Sequence, residues 1–386
     1  MTTLGQYFTK NIILKEKLYN FILNKPKNIL EPSIGRGDLI EYVKLQNPDL
    51  NFDMYEIDNT IKFLDCINVD NINFGDFIKK KISKKYITIV GNPPYVKTKT
   101  GNLYIDFTEK CYNLLENNGE LIFIVPSDFL KLTSSSSLLN KMMENGTFTH
   151  IFHPHNENLF EKASIDVIIF RYCKNKILEK TTLYNDKKMI INNSDGLITF
   201  RNYEVSNIHL IKDCFDIYVG IVSGKEEVFK NNKLGNIEVL NGFDKLEKYI
   251  FIDKFPCENQ EINKHMLKHK KELIGRKIRK FNENNWFEWG ALRNISVVNK
   301  YTGNDCIYIS NLTRKDTVAF LGKIGYFGGS LLMLKPKIKY DLDFMKRTVL
   351  YLNSDNFKSN FLYSGRFKIG HRQLSNSYLE ADVFQT

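Results

Sequence analysis

The sequence predicts an α/β protein, with a doubly wound sheet in its first half and a mixed α/β domain in its second. Short apolar runs alternate with stretches of helical periodicity as far as Tyr172, which is typical of β–α–β units. Several of these runs end in glycine or an acidic residue, as strands do at the ligand-binding edge of such a sheet. The chain has 386 residues, more than one ordinary domain holds, so we expect two domains, residues 1–205 and 206–386.

The first domain is expected to contain seven strands and the helices that connect them. The predicted strands are Asn28–Leu30, Asn51–Glu56, Asn73–Phe77, Tyr86–Val90, Glu120–Pro126, Phe148–Phe152 and Ile165–Tyr172. The predicted helices are Ile12–Leu23, Leu39–Gln46, Leu103–Glu116 and Ser134–Asn145. Residues 174–203 are rich in Lys and Asn and only weakly strand-like, so we place the domain boundary near their end.

The second domain is predicted to combine short strands with basic helical segments. Its strand-like runs are Ile217–Val222, Gly235–Leu240, Cys306–Ser310 and Lys323–Leu334. Two basic segments, 264–280 and 366–372, lie in this half. A run of charge most often forms a solvated face, but a net charge of +11 and a pI near 9.1 favour an anionic partner such as nucleic acid.

Composition limits the possible classes of protein. The six cysteines are scattered with no Cys-x-x-Cys spacing, which indicates neither a disulfide framework nor a zinc knuckle, so we expect a reducing, cytoplasmic environment. The first residues contain no basic and apolar signal-peptide pattern. The most apolar late stretch, Thr317–Leu334, contains Lys323 and four glycines, so we expect no membrane span.

The most informative motif is the tetrapeptide Asn92-Pro93-Pro94-Tyr95. It follows the buried-strand pattern Tyr86–Val90, and its two prolines prevent both a helix and continued sheet pairing. An amide, two stiff backbone units and an aromatic ring are therefore expected at the carboxyl end of a strand, where ligands bind in open α/β sheets. The tetrapeptide alone is also compatible with a simple proline turn.

Three acidic residues at predicted strand ends precede this tetrapeptide. Glu31 leads into a turn with Gly35 and Gly37, Glu56 ends the second strand, and Asp76 follows the third. The glycines allow the backbone to approach a ligand, and an acid about twenty residues after such a turn can accept both hydroxyls of a ribose. Each acid alone is more often a solvated loop residue or a helix cap. Their shared position at strand ends before the tetrapeptide favours a nucleoside-containing ligand.

In this order the motifs resemble those of gamma-class N6-adenine DNA methyltransferases. The motifs that carry the resemblance are Gly5–Thr9, Glu31–Gly37, Glu56–Asp58, Gly75–Phe77 and Asn92–Tyr95. The similarity continues to about residue 174, including Leu159–Ser164, and is patchy beyond it, as in Phe361–Leu374. The family pattern differs at Lys10, where proline is frequent, and at Leu39, where phenylalanine is common. The resemblance implies a Rossmann-like catalytic domain dependent on S-adenosyl-L-methionine (AdoMet) and a target-recognition domain.

The resemblance also implies the chemistry of the tetrapeptide. The Asn92 side-chain oxygen and the Pro93 carbonyl would accept the two N6 hydrogens of an adenine flipped out of duplex DNA, with Pro94 stiffening the turn. Tyr95 would stack on that base, which is worth roughly 1–3 kcal/mol. Phe170 would supply a second aromatic contact, although a place in the strand core is an equal alternative.

For AdoMet, the resemblance assigns Glu56 to the ribose hydroxyls, Asp76 to the adenine amino group and Glu31 to the methionine end. The complete implied cofactor site is Tyr7, Phe8, Thr9, Glu31, Pro32, Ser33, Gly35, Gly37, Glu56, Ile57, Asp76, Phe77 and Asn92. No metal is expected. Two pairs of histidines lie close in sequence, His153/His155 and His265/His269. Two histidines without a carboxylate or thiolate partner are usually structural or surface residues, so zinc is rejected.

The partner implied is double-stranded DNA, bound by a monomer, with a restriction endonuclease acting separately. The residues expected to contact DNA outside the tetrapeptide and Phe170 are Lys268, Arg276, Arg279, Arg366 and Arg372. Trp286 and Trp289 are expected in the core. Other functions remain open: methylation of RNA adenine or of a protein glutamine, a catalytically idle DNA-binding protein, and a fused restriction–modification enzyme.

Overall fold

The protein is described by a computed structural model at residues 7–98, 101–161, 163–175, 180–202, 209–338 and 341–384. The chain folds as two compact units. The first is Met1–Glu204 with Tyr363–Gly365, and the second is Val205–Leu362 with Arg366–Thr386. The predicted boundary between residues 205 and 206 lies outside the described residues, and so do Gly5 and Gln6. The assignment of Tyr363–Gly365 to the first unit is a feature that the sequence pattern does not indicate.

The first unit contains four α-helices, two short 3-10 helices (Val69–Asn71 and Ser127–Lys131) and the ten strands of one sheet among its described residues. The helices are α1 (Ile12–Asn20), α2 (Asp38–Gln46), α3 (Leu103–Leu114) and α4 (Ser136–Glu144). The strands are β1 (Asn28–Glu31), β2 (Asn51–Glu56), β3 (Ile72–Phe74), β4 (Tyr86–Gly91), β5 (Leu115–Pro126), β6 (Gly146–Phe152), β7 (Val167–Lys174), β8 (Thr181–Tyr184), β9 (Lys187–Ser194) and β10 (Leu197–Arg201).

These strands form one sheet in the order β10-β9-β8-β6-β7-β5-β4-β1-β2-β3. Strands β1 to β5 pair in parallel, and β7 is antiparallel to both β5 and β6. Both faces are covered, because Leu18 of α1 and Val43 of α2 pack with Val90 on one face, whereas Leu114 of α3 and Leu139 of α4 pack on the other. The doubly wound α/β class is thus confirmed.

The predicted number of seven strands is wrong, because β8, β9 and β10 extend the sheet beyond β6. Two tight hairpin turns join them, with positive φ at Asn185 and Asp186 and again at Asp195 and Gly196. Consecutive positive-φ residues of these types are characteristic of two-residue hairpin turns. The Lys- and Asn-rich composition weakens the signal of β8 and β9, because their exposed and half-buried positions dilute the apolar pattern that identifies a strand, whereas β10 is buried throughout.

The second unit is a mixed α/β structure, as expected. Its helices are α5 (Ile211–Cys214), α6 (Glu226–Phe229), α7 (Gln260–Lys268), α8 (Lys270–Ile274), α9 (Ile295–Tyr301), α10 (Leu342–Asn353), α11 (Asp355–Lys358) and α12 (His371–Ser375). Its strands are β11 (His209–Leu210), β12 (Phe215–Val219), β13 (Ile237–Leu240), β14 (Leu246–Tyr249), β15 (Asp305–Ser310), β16 (Leu312–Thr313), β17 (Ala319–Lys323), β18 (Leu331–Pro336), β19 (Leu362–Tyr363, ending in the first unit), β20 (Arg366–Lys368) and β21 (Tyr378–Leu379).

An antiparallel sheet, ordered β12-β18-β15-β17, forms the centre of this second unit. Beside it a separate aromatic cluster contains Trp286 and Trp289, both buried, which confirms the prediction that these tryptophans belong to a core. The indole N–H of Trp289 donates to the Ile250 carbonyl at 2.9 Å, so its polar atom is satisfied inside that core.

Candidate active site

A cavity of about 280 Å³ opens where β1, β2, β3 and β4 end. Eleven predicted cofactor residues line it: Tyr7, Phe8, Thr9, Pro32, Ser33, Gly35, Glu56, Ile57, Asp76, Phe77 and Asn92. Pro94 lines it as well, whereas Glu31 and Gly37 lie beside lining residues. The cavity thus gathers segments that are dispersed over the first half of the sequence.

The glycine-rich turn after β1 holds one carboxylate of the cavity in place. Gly35 and Gly37 have φ of +55° and +96°, conformations that favour glycine, and a Cβ on Gly37 would meet Ile67 at 2.4 Å. The backbone N–H of Gly35 donates to Glu56 Oε2 at 2.8 Å. Glu56 Oε1 accepts from the backbone N–H groups of Ile57 and Asp58, so the carboxylate is oriented by three main-chain donors.

Glu31 differs from Glu56 because most of its hydrogen-bonding capacity is unused. Its side chain is 1% exposed, and Oε1 accepts one long bond from the Ser33 N–H at 3.3 Å. No donor among the described residues reaches Oε2. Desolvation, with a smaller contribution from the nearby Glu56 charge, raises the pKa of Glu31 well above its usual value. A buried acid in this state favours a cationic or donating ligand group beside it.

The opposite part of the cavity combines an acid with an aromatic wall. Asp76 Oδ1 accepts from the Ile78 N–H at 3.0 Å, and Oδ2 lies 3.1 Å from Lys79 Nζ. Phe77 is 3% exposed and stacks with Phe107, whose ring also lines the cavity. A flat ring with an exocyclic amine matches this pairing of an apolar surface with an acceptor.

The Asn92 amide is held by three hydrogen-bonding atoms at the edge of the cavity. Its Nδ2 donates to the Tyr7 carbonyl at 2.8 Å and to Thr9 Oγ1 at 2.9 Å. Its Oδ1 accepts from the Tyr95 hydroxyl at 2.5 Å, and Tyr95 Oη also lies 3.1 Å from the Ile124 carbonyl. Burial raises the pKa of Tyr95, so the phenol stays protonated and serves as a donor.

The Tyr95 ring lies in an aromatic cluster. It stacks on Tyr7 with centroids 5.4 Å apart and meets Tyr104 and Phe160 edge to face at 6.0 and 6.2 Å. Phe160 also contacts Tyr7, at 5.9 Å, and was not among the predicted site residues. The available signal was its place within Leu159–Ser164, a stretch that already resembles the family.

The prediction that Phe170 contacts the target base is wrong. Phe170 is fully buried in β7, where it stacks on Phe129 at 5.5 Å and meets Phe148 at 5.3 Å. Because β7 is an internal strand, between β5 and β6, a side chain there is enclosed by core residues. The equal alternative, a place in the strand core, is the correct one.

The prediction that Arg276 contacts DNA is also wrong. Its guanidinium is buried and donates to the main-chain carbonyls of Leu273, Ser223, Trp286 and Glu288. Because its N–H groups donate to carbonyls of the same unit, Arg276 joins separate segments of the second unit together.

Arg279 is half-exposed and pairs with Glu288 Oε2 at 2.6 Å, which neutralises part of its charge. Lys268, the last residue of α7, is exposed, and so is Arg366 at the start of β20. Arg372 lies in α12 and is partly buried.

No group of three or more His, Cys, Asp or Glu side chains within the described residues could hold a metal ion. His153 instead lies between the Asp166 carboxylate, at 2.9 Å, and the Tyr184 hydroxyl, at 3.0 Å. Across the same described ranges, no helix is long and apolar enough to cross a membrane.

Comparison with known proteins agrees with the motif pattern. Residues 40–160 match the family described as Eco57I restriction-modification methylase, a range that contains Glu56, Asp76, the Asn92–Tyr95 tetrapeptide and Phe160. The predicted resemblance to DNA methyltransferases of restriction–modification systems is confirmed by this match.

Curated relatives point the same way. The type II methyltransferase M.HincII of Haemophilus influenzae is 30% identical over 216 residues, covering 50% of this chain and 42% of that protein. The modification methylase CviBIII of a Paramecium bursaria Chlorella virus is 36% identical over 146 residues, covering 32% of this chain and 38% of that protein. The match thus spans less than half the length of these relatives.

Among solved structures, the DrdV–DNA complex matches with 11% identity and a TM-score of 0.48, covering 88% of this chain and 50% of that one. The M protein of the type I restriction enzyme EcoKI matches with 14% identity and a TM-score of 0.38, covering 47% of this chain and 48% of that one.

Proposed function

We propose that this protein is an AdoMet-dependent methyltransferase that modifies the N6 amino group of adenine in double-stranded DNA. The observation that carries the proposal is the Asn92 amide, whose two N–H groups are both engaged while its oxygen is directed toward Tyr95 beside the cavity. A neutral acceptor so oriented suits a neutral amine that must lose electron delocalisation before it can act as a nucleophile.

The cavity fits AdoMet by the chemistry of its residues. When bound, this cofactor supplies a methyl group on a positively charged sulfur, together with a cationic amino group. Glu31, buried with one unpartnered oxygen, offers the compensating negative charge near that end. Glu56, already oriented by three main-chain N–H groups, can accept ribose hydroxyls, and Asp76 with Phe77 can hold the adenine.

In the proposed reaction, Asn92 Oδ1 and the Pro93 main-chain carbonyl accept the two hydrogens of the N6 amine. These hydrogen bonds favour a more tetrahedral nitrogen with its lone pair available, and they orient it for in-line transfer. No strong base is needed before the methyl group is transferred, because the amine is neutral. Once methylated, the cationic nitrogen releases its excess proton to solvent.

The adenine must leave the duplex to reach Asn92, at a cost of a few kcal/mol. In the protein alone, the Tyr95 hydroxyl donates a hydrogen bond to Asn92 Oδ1, and the Tyr95 ring stacks on Tyr7. An incoming base therefore exchanges with these contacts: its amine replaces the hydroxyl at Oδ1, and its ring replaces one aromatic neighbour of Tyr95. Phe160 meets the edge of the same ring and is 5% exposed, so it would pack against the extruded base only once the base has displaced one of these contacts.

We propose the second unit as the target-recognition domain. Its support is the exposed basic side chains of Lys268 and Arg366, with Arg279 and Arg372 as further candidates. If Arg366 contacts a phosphate, Arg366→Ala will weaken binding to all duplexes alike. The slope of the logarithm of the binding constant against the logarithm of salt concentration will become shallower by about one, because one counterion fewer is released. An unchanged salt slope would remove Arg366 from the interface.

The restriction–modification description of the matched family supports a role in DNA self-protection. We further propose that the protein acts in the cytoplasm as a monomer, beside a separately acting endonuclease. The alternative substrates are adenine in RNA and the side-chain amide of a protein glutamine, since both present a planar amino group to the same acceptors. The net charge of +11 favours nucleic acid over a protein side chain.

The decisive test is Asn92→Ala, assayed by long-read detection of modified adenine in DNA from expressing cells and by AdoMet titration of the purified protein. We expect methylation to be abolished while AdoMet binding survives. The reason is that the Asn92 amide binds the N6 amine of adenine, whereas the carboxylates of Glu31, Glu56 and Asp76 bind the cofactor. Retained adenine methylation in Asn92→Ala, or methylation of RNA or glutamine by the wild type in place of DNA, would contradict the proposed function.

A further inference from the structure

The orientation of the Asn92 amide is fixed by residues that come 83 and 85 positions earlier in the chain. An asparagine side chain can rotate its amide between two orientations at little intrinsic cost, so its rotamer does not decide which atom faces the amine. The Tyr7 main-chain carbonyl can only accept a hydrogen bond. Its distance of 2.8 Å from the Asn92 amide therefore requires the nitrogen, Nδ2, on that side.

Thr9 is the side chain that takes the second N–H of this nitrogen. Its Oγ1 lies 2.9 Å from Asn92 Nδ2, and the residue is 5% exposed, so little water competes for the contact. With both N–H groups of Asn92 engaged, Oδ1 faces Tyr95. A reversed amide would place Oδ1 against the Tyr7 carbonyl, so that two acceptors would face each other. It would also turn the N–H groups of Nδ2 toward the amine to be methylated, which is itself a donor.

We propose that Thr9 is a positioning residue whose hydroxyl holds the Asn92 amide with its oxygen toward the group to be methylated. The inference deepens the proposed function and rests on it. Thr9 also lines the cavity. The alternative to a positioning role is therefore that Thr9 only contacts the cofactor or only fills space. The two roles differ in which measurement responds to loss of the hydroxyl.

The test compares Thr9→Val, which keeps the shape and removes the hydroxyl, with Thr9→Ser, which keeps the hydroxyl. At saturating AdoMet and duplex DNA, we expect the single-turnover rate of Thr9→Val to fall about tenfold, the value of one neutral hydrogen bond. We expect Thr9→Ser to stay near the wild-type rate, and the AdoMet dissociation constant of both to change less than about twofold.

Thr348→Val is the matched control. Thr348 is fully buried in α10, where its hydroxyl donates to the Phe344 carbonyl at 2.9 Å, so this variant also loses a buried hydroxyl bond. It should unfold more easily yet methylate at the wild-type rate. Loss of rate in Thr348→Val equal to that in Thr9→Val would reduce the Thr9 effect to general destabilisation.

A second readout does not depend on turnover. The side-chain amide protons of Asn92, assigned by their disappearance in Asn92→Ala, should exchange with solvent faster in Thr9→Val than in the wild type. Unchanged exchange, or a rate loss in Thr9→Val that merely follows weaker AdoMet binding, would overturn the positioning role. A wild-type protein that methylates no adenine would instead defeat the proposed function, while the exchange measurement would still decide whether Thr9 holds the amide.

Discussion

Two glutamates lie fully buried in the same sheet and are treated in opposite ways. Glu120, in β5, is 0% exposed, and Glu31, at the end of β1, is 1% exposed. The fold surrounds Glu120 with donors, whereas it gives Glu31 a single long hydrogen bond. The comparison separates a carboxylate that holds the fold together from one whose hydrogen-bonding capacity is largely unused beside the cavity.

The Glu120 carboxylate accepts four hydrogen bonds. Its Oε2 pairs with Arg171 Nε at 2.7 Å and accepts from the Leu23 N–H, and its Oε1 accepts from Thr88 Oγ1 and from the Asn24 N–H. Each lone-pair direction of the carboxylate is thus used, which is the condition under which a buried charge is tolerated.

Glu31 lies at the carboxyl edge of the sheet, where Ser33 and Asn92 line the cavity. Its unpartnered Oε2 costs stability in the protein alone, and a ligand with a positive charge would recover that cost. The difference teaches that an unsatisfied buried acid, at the edge where ligands bind, is a stronger sign of function than burial itself.

The largest expected effect concerns the satisfied pair. Arg171→Met leaves Glu120 buried without its ionic partner, so we expect the free energy of unfolding to fall by about 3–5 kcal/mol. Chemical denaturation measures this change. In the double variant Arg171→Met/Glu120→Gln, much of the loss should be recovered, because no unpaired charge remains. A loss below about 1 kcal/mol in the single variant would mean that the network is not structural.

Glu31→Gln should behave in the opposite manner. Because this change removes a poorly solvated acid, we expect the stability of the protein alone to be unchanged or higher. AdoMet binding should weaken roughly 10- to 100-fold, the value of a charged interaction of about 1.5–3 kcal/mol. Calorimetric titration measures the affinity, with Glu120→Gln as the control that loses stability and keeps its affinity if folded. Equal affinity in Glu31→Gln and wild type would break the comparison.

The smallest expected effect is the pH dependence that Glu31 confers. Burial raises the pKa of Glu31 above its usual 4.5, so the folded state holds the proton more tightly than the unfolded state. The resulting stability is present below pH 4.5 and is lost as the pH rises through the raised pKa. The wild type should therefore lose stability relative to Glu31→Gln over that range, as thermal unfolding at several pH values would show. Parallel curves for the two proteins would refute the shift.

Much of the first unit could be predicted from sequence because its signals are local. Gly35 and Gly37 adopt positive φ, the apolar run Tyr86–Val90 is a strand, and the prolines of Asn92–Tyr95 end it. Each of these signals is contained in a few consecutive residues. Backbone sterics and hydrophobic periodicity act over such short ranges, so the sequence indicates the succession of strands along the chain and the acids at their ends.

The tertiary structure alone decided which polar and aromatic groups are free to act. Phe170 and Arg276 resemble ligand-binding residues in sequence, but one is enclosed in the sheet and the other is bound to four carbonyls. Asn92 is oriented by Tyr7 and Thr9, and Glu120 is neutralised by Arg171, 51 residues away. Residue type determines which bonds a side chain can make, but long-range packing determines which of them the protein has already made and which it leaves for a ligand.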